Sequence, residues 1–369
     1  MKRTISIKLN VSEEENNKLL HLRSVYTQAC NVAASFAREN RCWNRVALHH
    51  IAYYKIRETV NLGSQMSCIA IKEVCGKYKA LRIKKDKPVP EIKFKETSVH
   101  FDKRTYSIKD NTLSLYTMQG RIRVNMIIGQ FQSDYFRKGL PKEAELILKK
   151  QTWFLNLVLD VDDIPPSDSK TILGVDLGEN NIATTSSGKI ISGGKLRYDR
   201  DKYLNLRKRL QSNGSKSAKQ LLRKLSGKER RHVKHVNHEI SKVVVAEAIR
   251  INAGIISLEN LKNIRKRIKY GKRMNSRLHR WAWAQLQNMI IYKAEAFGIK
   301  IEIVNPAYTS QTCSVCNAIG KRIKHKFSCP KCDFLAHADC NASLNIAKIA
   351  QSIDFARAAV TQPNVPAFG

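Results

Sequence analysis

The segment TCSVCNAIGKRIKHKFSCPKC holds two Cys-x2-Cys knuckles, Cys313/Cys316 and Cys329/Cys332, separated by twelve residues. Paired knuckles of this spacing offer four thiolates in a tetrahedral array, the set that closes around structural Zn²⁺ and leaves no position for substrate. Cys30, Cys42, Cys68, Cys75 and Cys340 bring the total to nine. An odd count in a chain that opens without an apolar leader points to metal and core use rather than disulfides. His325 and His337 lie within reach as substitute ligands, with solvated or phosphate-facing roles the simpler reading, and Cys340 reads as a small core residue.

Three carboxylates stand in a different setting. Asp176 ends the apolar run LGVD, Glu259 ends IISLE, and Asp339 opens a helix in AHADCNASLNIA. Taken singly, each has an ordinary role: a turn Asp, a solvated strand-end Glu, an N-cap Asp. Taken together they change meaning, because the carboxyl ends of neighbouring parallel strands in an open α/β sheet lie side by side. Converging carboxylates are costly to bury unless paired or metal-bound. Hard divalent cations, Mg²⁺ first, are their natural partners, and two such ions roughly 3.5–4 Å apart drive in-line phosphodiester hydrolysis.

The elements that must position these groups are legible in the spacing of apolar residues. Residues 172–177 and 181–185 read as strands, and a third begins near Lys189. A long charged helix ends with Ile240, Val243, Val244, Ala248 and Ile251 on one face. Strand 254–259 follows, then a helix carrying Leu278, Trp281, Ala282, Leu286, Met289 and Ile290 that stops at Gly298, then strand 299–304. Strands and helices in this order, a cysteine module and a last helix make the layout of an RNase H-like α/β domain with an insertion before its final helix. Upstream, Ile5, Ile7, Leu9 and Val11 alternate as a strand. Ser12 and Glu15 form a capping box that opens a helix with Leu19, Leu22, Tyr26, Ala29, Ala33 and Phe36 on one face. Further helices are predicted at 49–59 and 67–81. Between about 88 and 162, the runs EIKF, SVHF, TYSI, LSLY, RIRV and LNLVLDV predict a small antiparallel barrel or sandwich, and residues 163–170, with Pro165 and Pro166, have linker chemistry.

The chain has 66 Lys+Arg against 31 Asp+Glu, a formal charge of +35 over 369 residues. Such an excess is self-repulsive unless a polyanion neutralises it, and nucleic acid is the usual one. Lys195 to Arg273 alone carries 24 basic and 6 acidic residues, including Arg207-Lys208-Arg209, Arg230-Arg231-His232 and Arg265-Lys266-Arg267-Ile268-Lys269. Trp281 and Trp283 are candidates for base stacking, with core packing favoured for Trp281. No apolar run approaches a membrane span, so a cytoplasmic, nucleoid-associated protein without a membrane partner is expected.

GVDLGENN, SLENLKNIR and HADCNASLNIA, with the four-cysteine ribbon just before the last, resemble the three RuvC motifs and zinc ribbon of the TnpB family. These are RNA-guided nucleases of bacterial insertion-sequence transposons, related to miniature type V CRISPR effectors. The similarity is densest over residues 171–350. It implies an α/β multidomain chain: an RNase H-like (RuvC) nuclease domain with an inserted zinc ribbon, preceded by a β-rich wedge domain carrying a helical recognition insertion. The boundaries implied are 1–10 for the first wedge strand, 11–87 for the recognition helices and 88–165 for the wedge. RuvC would occupy 166–308 and 337–353, the zinc-ribbon target-nucleic-acid-binding domain 309–336, and an unassigned tail 354–369. By motif, Asp176, Glu259 and Asp339 would be catalytic and bind Mg²⁺, while Cys313, Cys316, Cys329 and Cys332 would bind Zn²⁺. A guide RNA from the transposon end would direct cleavage of double-stranded DNA beside a transposon-adjacent motif. Ala338 stands where relatives often have a basic residue, and Ser343 where alanine is usual; neither is a ligand position. Two alternatives stay open at this point: a cleavage-free RNA-guided DNA-binding regulator, and an RNA-independent transposase or resolvase.

Overall fold

The computed structural model describes residues 1–261, 271, 275 and 282–361, with side chains through 354. The run Arg265-Lys266-Arg267-Ile268-Lys269, Leu278, Trp281 and the tail beyond Thr361 lie outside the described residues. The chain divides into two units, 1–162 and 163–369.

In the first unit, β1 (Lys2–Asn10) turns Ile5, Ile7 and Leu9 inward, as a period of two requires. Ser12 and Glu15 close the predicted capping box, the Ser12 N–H donating to the Glu15 carboxylate at 2.8 Å. Helix α1 (Glu13–Glu39) follows, then α2 (Arg45–Val60) and α3 (Ser64–Ala80). The chain returns through β2 (Val99–Phe101), β3 (Tyr106–Lys109), β4 (Thr112–Thr117), β5 (Gly120–Ile127), α4 (Gln130–Lys138), β6 (Gly139–Lys149) and β7 (Thr152–Val161). These strands form one antiparallel sheet in the order β2-β6-β7-β1-β5-β4-β3, so the first strand sits in the middle of strands laid down after the helices. Two details differ from the sequence reading. EIKF at 91–94 is not a strand, because the Asn31 side chain from α1 takes both backbone groups of Phe94, at 2.8 and 3.2 Å. Helix α4 and strand β6 also stand where no element was predicted. Pro141 and a register shift between Pro141 and Glu143 blur the alternation of β6.

In the second unit, β8 (Ile172–Asp176), β9 (Asn181–Thr185) and β10 (Ile190–Ser192) lead into α5 (Gly194–Asn213) and α6 (Lys216–Arg250). Then come β11 (Ile255–Glu259), α7 (Trp283–Glu295) and β12 (Lys300–Val304). A small sheet of β13 (Lys321–Ile323), β14 (Lys326–Ser328) and β15 (Leu335–His337) precedes α8 (Ala338–Thr361). The main sheet has the order β10-β9-β8-β11-β12, with β8, β11 and β12 parallel. Strand alternation assigns its two faces. Leu173, Val175, Ile256 and Leu258 pack with Val244, Ala248, Leu286 and Ile290 of α6 and α7, whereas Gly174 and Ser257 face α8. The Ser257 hydroxyl donates to the Ile346 carbonyl at 3.2 Å. A Cβ at Gly174 would lie 2.1 Å from the Ser343 carbonyl oxygen, so glycine there admits α8 against the sheet. The expected linker runs along this unit: Ser167 N–H donates to Gly298 O at 2.9 Å and the Ser169 hydroxyl to Asn252 O at 2.6 Å. Helix α8 continues past residue 353, where the last helix was predicted to end. Among the described residues, no helix is long and apolar enough to cross a membrane.

Candidate metal centres

The side-chain periodicity that puts Gly174 and Ser257 against α8 puts Asp176 and Glu259 on the same face two residues later. Strands β8 and β11 are parallel, with Val175 opposite Leu258, so the next residues, Asp176 and Glu259, end neighbouring strands together. Asp339 lies in the first turn of α8, and α8 packs on β8 and β11. Burial, then the charges of Glu259 and Asp339, push the Asp176 carboxyl up to about 8. Burial also raises Glu259, opposed by a hydrogen bond from Thr309 and by the Arg322 charge. Asp176 thus feels the charges of Glu259 and Asp339, opposed in part by that of Arg322, which acts on Glu259 as well.

Three neighbours of these carboxylates have no counterpart in the sequence reading. Arg322 of β13 pairs its Nη2 with Asp339 Oδ1 at 2.7 Å. Asn181, at the start of β9, donates from Nδ2 to Asp339 Oδ2 at 2.9 Å. The Thr309 hydroxyl donates to Glu259 Oε1 at 2.5 Å. Each is far in sequence from its partner, and spacing alone carries no signal for such pairs.

The four knuckle cysteines meet. Their sulfurs all lie within 4.8 Å of one another, and among the described residues no other group of three or more His, Cys, Asp or Glu ligand atoms does so. Cys313 Sγ is 3.7 Å from Cys332 Sγ, and Cys316 Sγ is 3.5 Å from Cys329 Sγ. A tetrahedron with metal–sulfur bonds of about 2.3 Å has edges of about 3.8 Å, so the donor set fits a zinc-sized ion. Burial opposes ionisation of Cys329, but the Lys331 and Cys332 backbone N–H groups and the neighbouring thiols outweigh burial and lower the thiol, while neighbouring thiols raise Cys332, so the first thiolate of the set forms at Cys329 at the expense of its neighbour. His325 and His337 stack with centroids 5.9 Å apart outside this set, and His337 Nδ1 accepts the Asp339 N–H at 3.3 Å. Cys340 is half-buried, its thiol raised by burial and then by Asp339 and Asp176; it borders the carboxylates rather than filling a core. Trp283 is buried in the α6–α7 core, which removes it as a stacking platform.

On α5 and α6, Lys208, Arg209, Arg230 and Arg231 are exposed, whereas Arg207 is partly buried and pairs with Glu229. The exposed members supply a basic surface able to track phosphate.

Residues 156–265 match the family model OrfB_IS605, described as "Probable transposase", and residues 283–346 match the Cas12f1-like TNB domain. The TnpB-like protein MJ0751 of Methanocaldococcus jannaschii is 29% identical over 248 residues, which cover 63% of this chain and 88% of that one. The CRISPR-associated endodeoxyribonuclease Cas12f1 of Sulfoacidibacillus thermotolerans is 32% identical over 234 residues, 54% of this chain and 50% of the relative; the chain thus spans half the length of that protein. In fold, the chain resembles the protein of a Cas12f1–sgRNA–target DNA complex, with a TM-score of 0.66 at 17% identity over 94% of this chain and 98% of the other. It also resembles CasPhi-2 bound to crRNA, with a TM-score of 0.59 at 10% identity, covering 95% and 98%.

Proposed function

From the chain's membership of the TnpB family, we propose that it is an RNA-guided DNA endonuclease, with a RuvC-type centre of Asp176, Glu259 and Asp339 and a structural zinc ribbon. Guide RNA from a transposon end and double-stranded target DNA are its proposed partners. The observation that carries this reading is the placement of Asp176 and Glu259 at the ends of adjacent parallel strands, on the face that receives Asp339 from α8.

The donor set is hard oxygen, with three carboxylates against the single cation of Arg322, which suits Mg²⁺ better than a softer ion. Asp176, Glu259 and Asp339 would hold the metal; bound there, magnesium supplies an activated water and stabilises the leaving oxygen of a phosphodiester. The protein's own groups do the rest. Asn181 and Arg322 fix the two Asp339 oxygens, and the Arg322 guanidinium would be at hand to neutralise a phosphate bound beside Asp339. The basic faces of α5 and α6 would hold nucleic-acid backbone, while pairing with the guide supplies sequence. The four cysteines, closed on zinc, would keep β13 and its Arg322 in place.

The test is to co-express the protein with its flanking DNA, sequence the RNA that co-purifies and challenge a plasmid bearing the matching target with Mg²⁺. Cleavage that requires the RNA and disappears in Asp176→Ala is expected. Guided binding without product would make the protein a regulator, and cutting without RNA would make it a transposase or resolvase.

A further inference from the structure

We propose that Thr309 is a positioning residue for Glu259, and that the cysteine ribbon acts on the carboxylate centre through it. This rests on the nuclease reading above. Thr309 is 4% exposed and sits between β12 and the first knuckle, inside neither metal set. Its single hydroxyl proton has two acceptors: Glu259 Oε1 at 2.5 Å and its own turn's Pro306 carbonyl at 3.2 Å. The carboxylate is nearer, and a charge-assisted O–H···O⁻ bond is the stronger of the two. The other end of Glu259 is held as well, since Gln287 Nε2 of α7 donates to its backbone carbonyl at 2.7 Å. With the main chain fixed by strand pairing and Gln287, the hydroxyl of Thr309 selects which way the carboxylate turns.

Thr309 is in turn held from α8. Asn345, 5% exposed, donates from Nδ2 to Thr309 O at 2.8 Å and to Thr312 O at 2.7 Å. One helical turn earlier, Asn341 donates to Thr312 O at 2.7 Å, and its Oδ1 accepts the Ser314 N–H at 2.9 Å. Lys348 adds a bond to Ser314 O. Residues 312–314 enclose the metal-ligand candidate Cys313, so an unbroken series of hydrogen bonds joins the first knuckle, α8 and Glu259. Asn341, Asn345 and Lys348 are three and four residues apart and share one face of α8. That face therefore seats the ribbon, and the turn that leads into the ribbon seats Glu259. A zinc ribbon serving only as a separate nucleic-acid clasp would need no such connection.

The test compares Thr309→Val, which keeps shape and removes the hydroxyl, with Thr309→Ser, which restores it. Zinc content, melting temperature, Mn²⁺ affinity by electron paramagnetic resonance at fixed pH and guided cleavage are measured on each ribonucleoprotein. Loss of one charge-assisted hydrogen bond predicts roughly ten- to hundredfold weaker Mn²⁺ binding in the Val variant. A matching loss of cleavage, recovery in the Ser variant, unchanged zinc in both and a melting temperature lowered by no more than a few degrees in the Val variant are expected. Wild-type Mn²⁺ affinity in Thr309→Val overturns the proposal, as does a Ser variant no better than Val, or a loss explained by missing zinc. If the wild-type protein binds no Mn²⁺ that Asp176→Asn can abolish, the nuclease reading itself fails.

Discussion

Replacing Asp176 with Asn should stabilise the metal-free protein while abolishing the proposed cleavage. In the fold, burial and then the charges of Glu259 and Asp339 push this carboxyl up to about 8, against an ordinary value of 3.8. Between those values the folded chain keeps a proton that the unfolded chain releases. The contribution is thus full below about pH 4 and is lost as pH rises through 8. At pH 7, holding that proton costs about 4 kcal/mol, at 1.36 kcal/mol per pKa unit. Asn has the same shape and pays no such cost, so the variant and wild type should be equally stable near pH 4 and diverge by several kcal/mol by pH 8. Urea unfolding of the RNA-free, zinc-loaded protein at pH 4.5, 7 and 8.5 measures the gap. Added Mg²⁺ should narrow it at high pH, because only the wild type gains ligand stabilisation. A gap that does not change with pH, or a variant less stable than wild type at pH 8, would refute the shared-field reasoning.

Cys329→Ser should abolish zinc uptake and unfold residues around 310–335, because metal binding there is folding energy. Guided cleavage at saturating Mg²⁺ should fall with it, as Arg322 leaves Asp339, and retained cleavage would contradict the coupling. RNA affinity should weaken about a thousandfold or more between 50 and 200 mM salt, as expected when six to ten phosphate contacts release counterions; filter binding across that range is the check. Gly174→Ala would drive a methyl into the Ser343 carbonyl, 2.1 Å from the new Cβ. A loss of about 1–3 kcal/mol in thermal unfolding is expected as α8 is pushed off the sheet, together with impaired cleavage.

Elements with a strong apolar period were legible before any coordinates. The alternation of β1, the capping box at Ser12 and the strand–helix order of the second unit all follow from local residue choice, and the order places Asp176 and Glu259 at strand ends. The cysteine tetrad was legible because its spacing is dictated by metal geometry. Arg322, Thr309 and Asn181 were not, since a polar residue on a short strand or loop looks the same whether it faces water or a carboxylate 17, 50 or 158 residues away. EIKF failed for a related reason: its strand-like pattern was overridden by one side chain, Asn31, from a distant helix. Trp283 carries the composition of a stacking residue, but its place on the buried face of α7 decides its role.

The most direct measurement is anomalous scattering from crystals soaked in Mn²⁺, which takes the sites of Mg²⁺ and can be located by its own signal. Density bounded by Asp176, Glu259 and Asp339, absent from Asp176→Asn crystals, is the predicted result. Manganese bound elsewhere, with the three side chains still facing one another around a vacant centre, would contradict it.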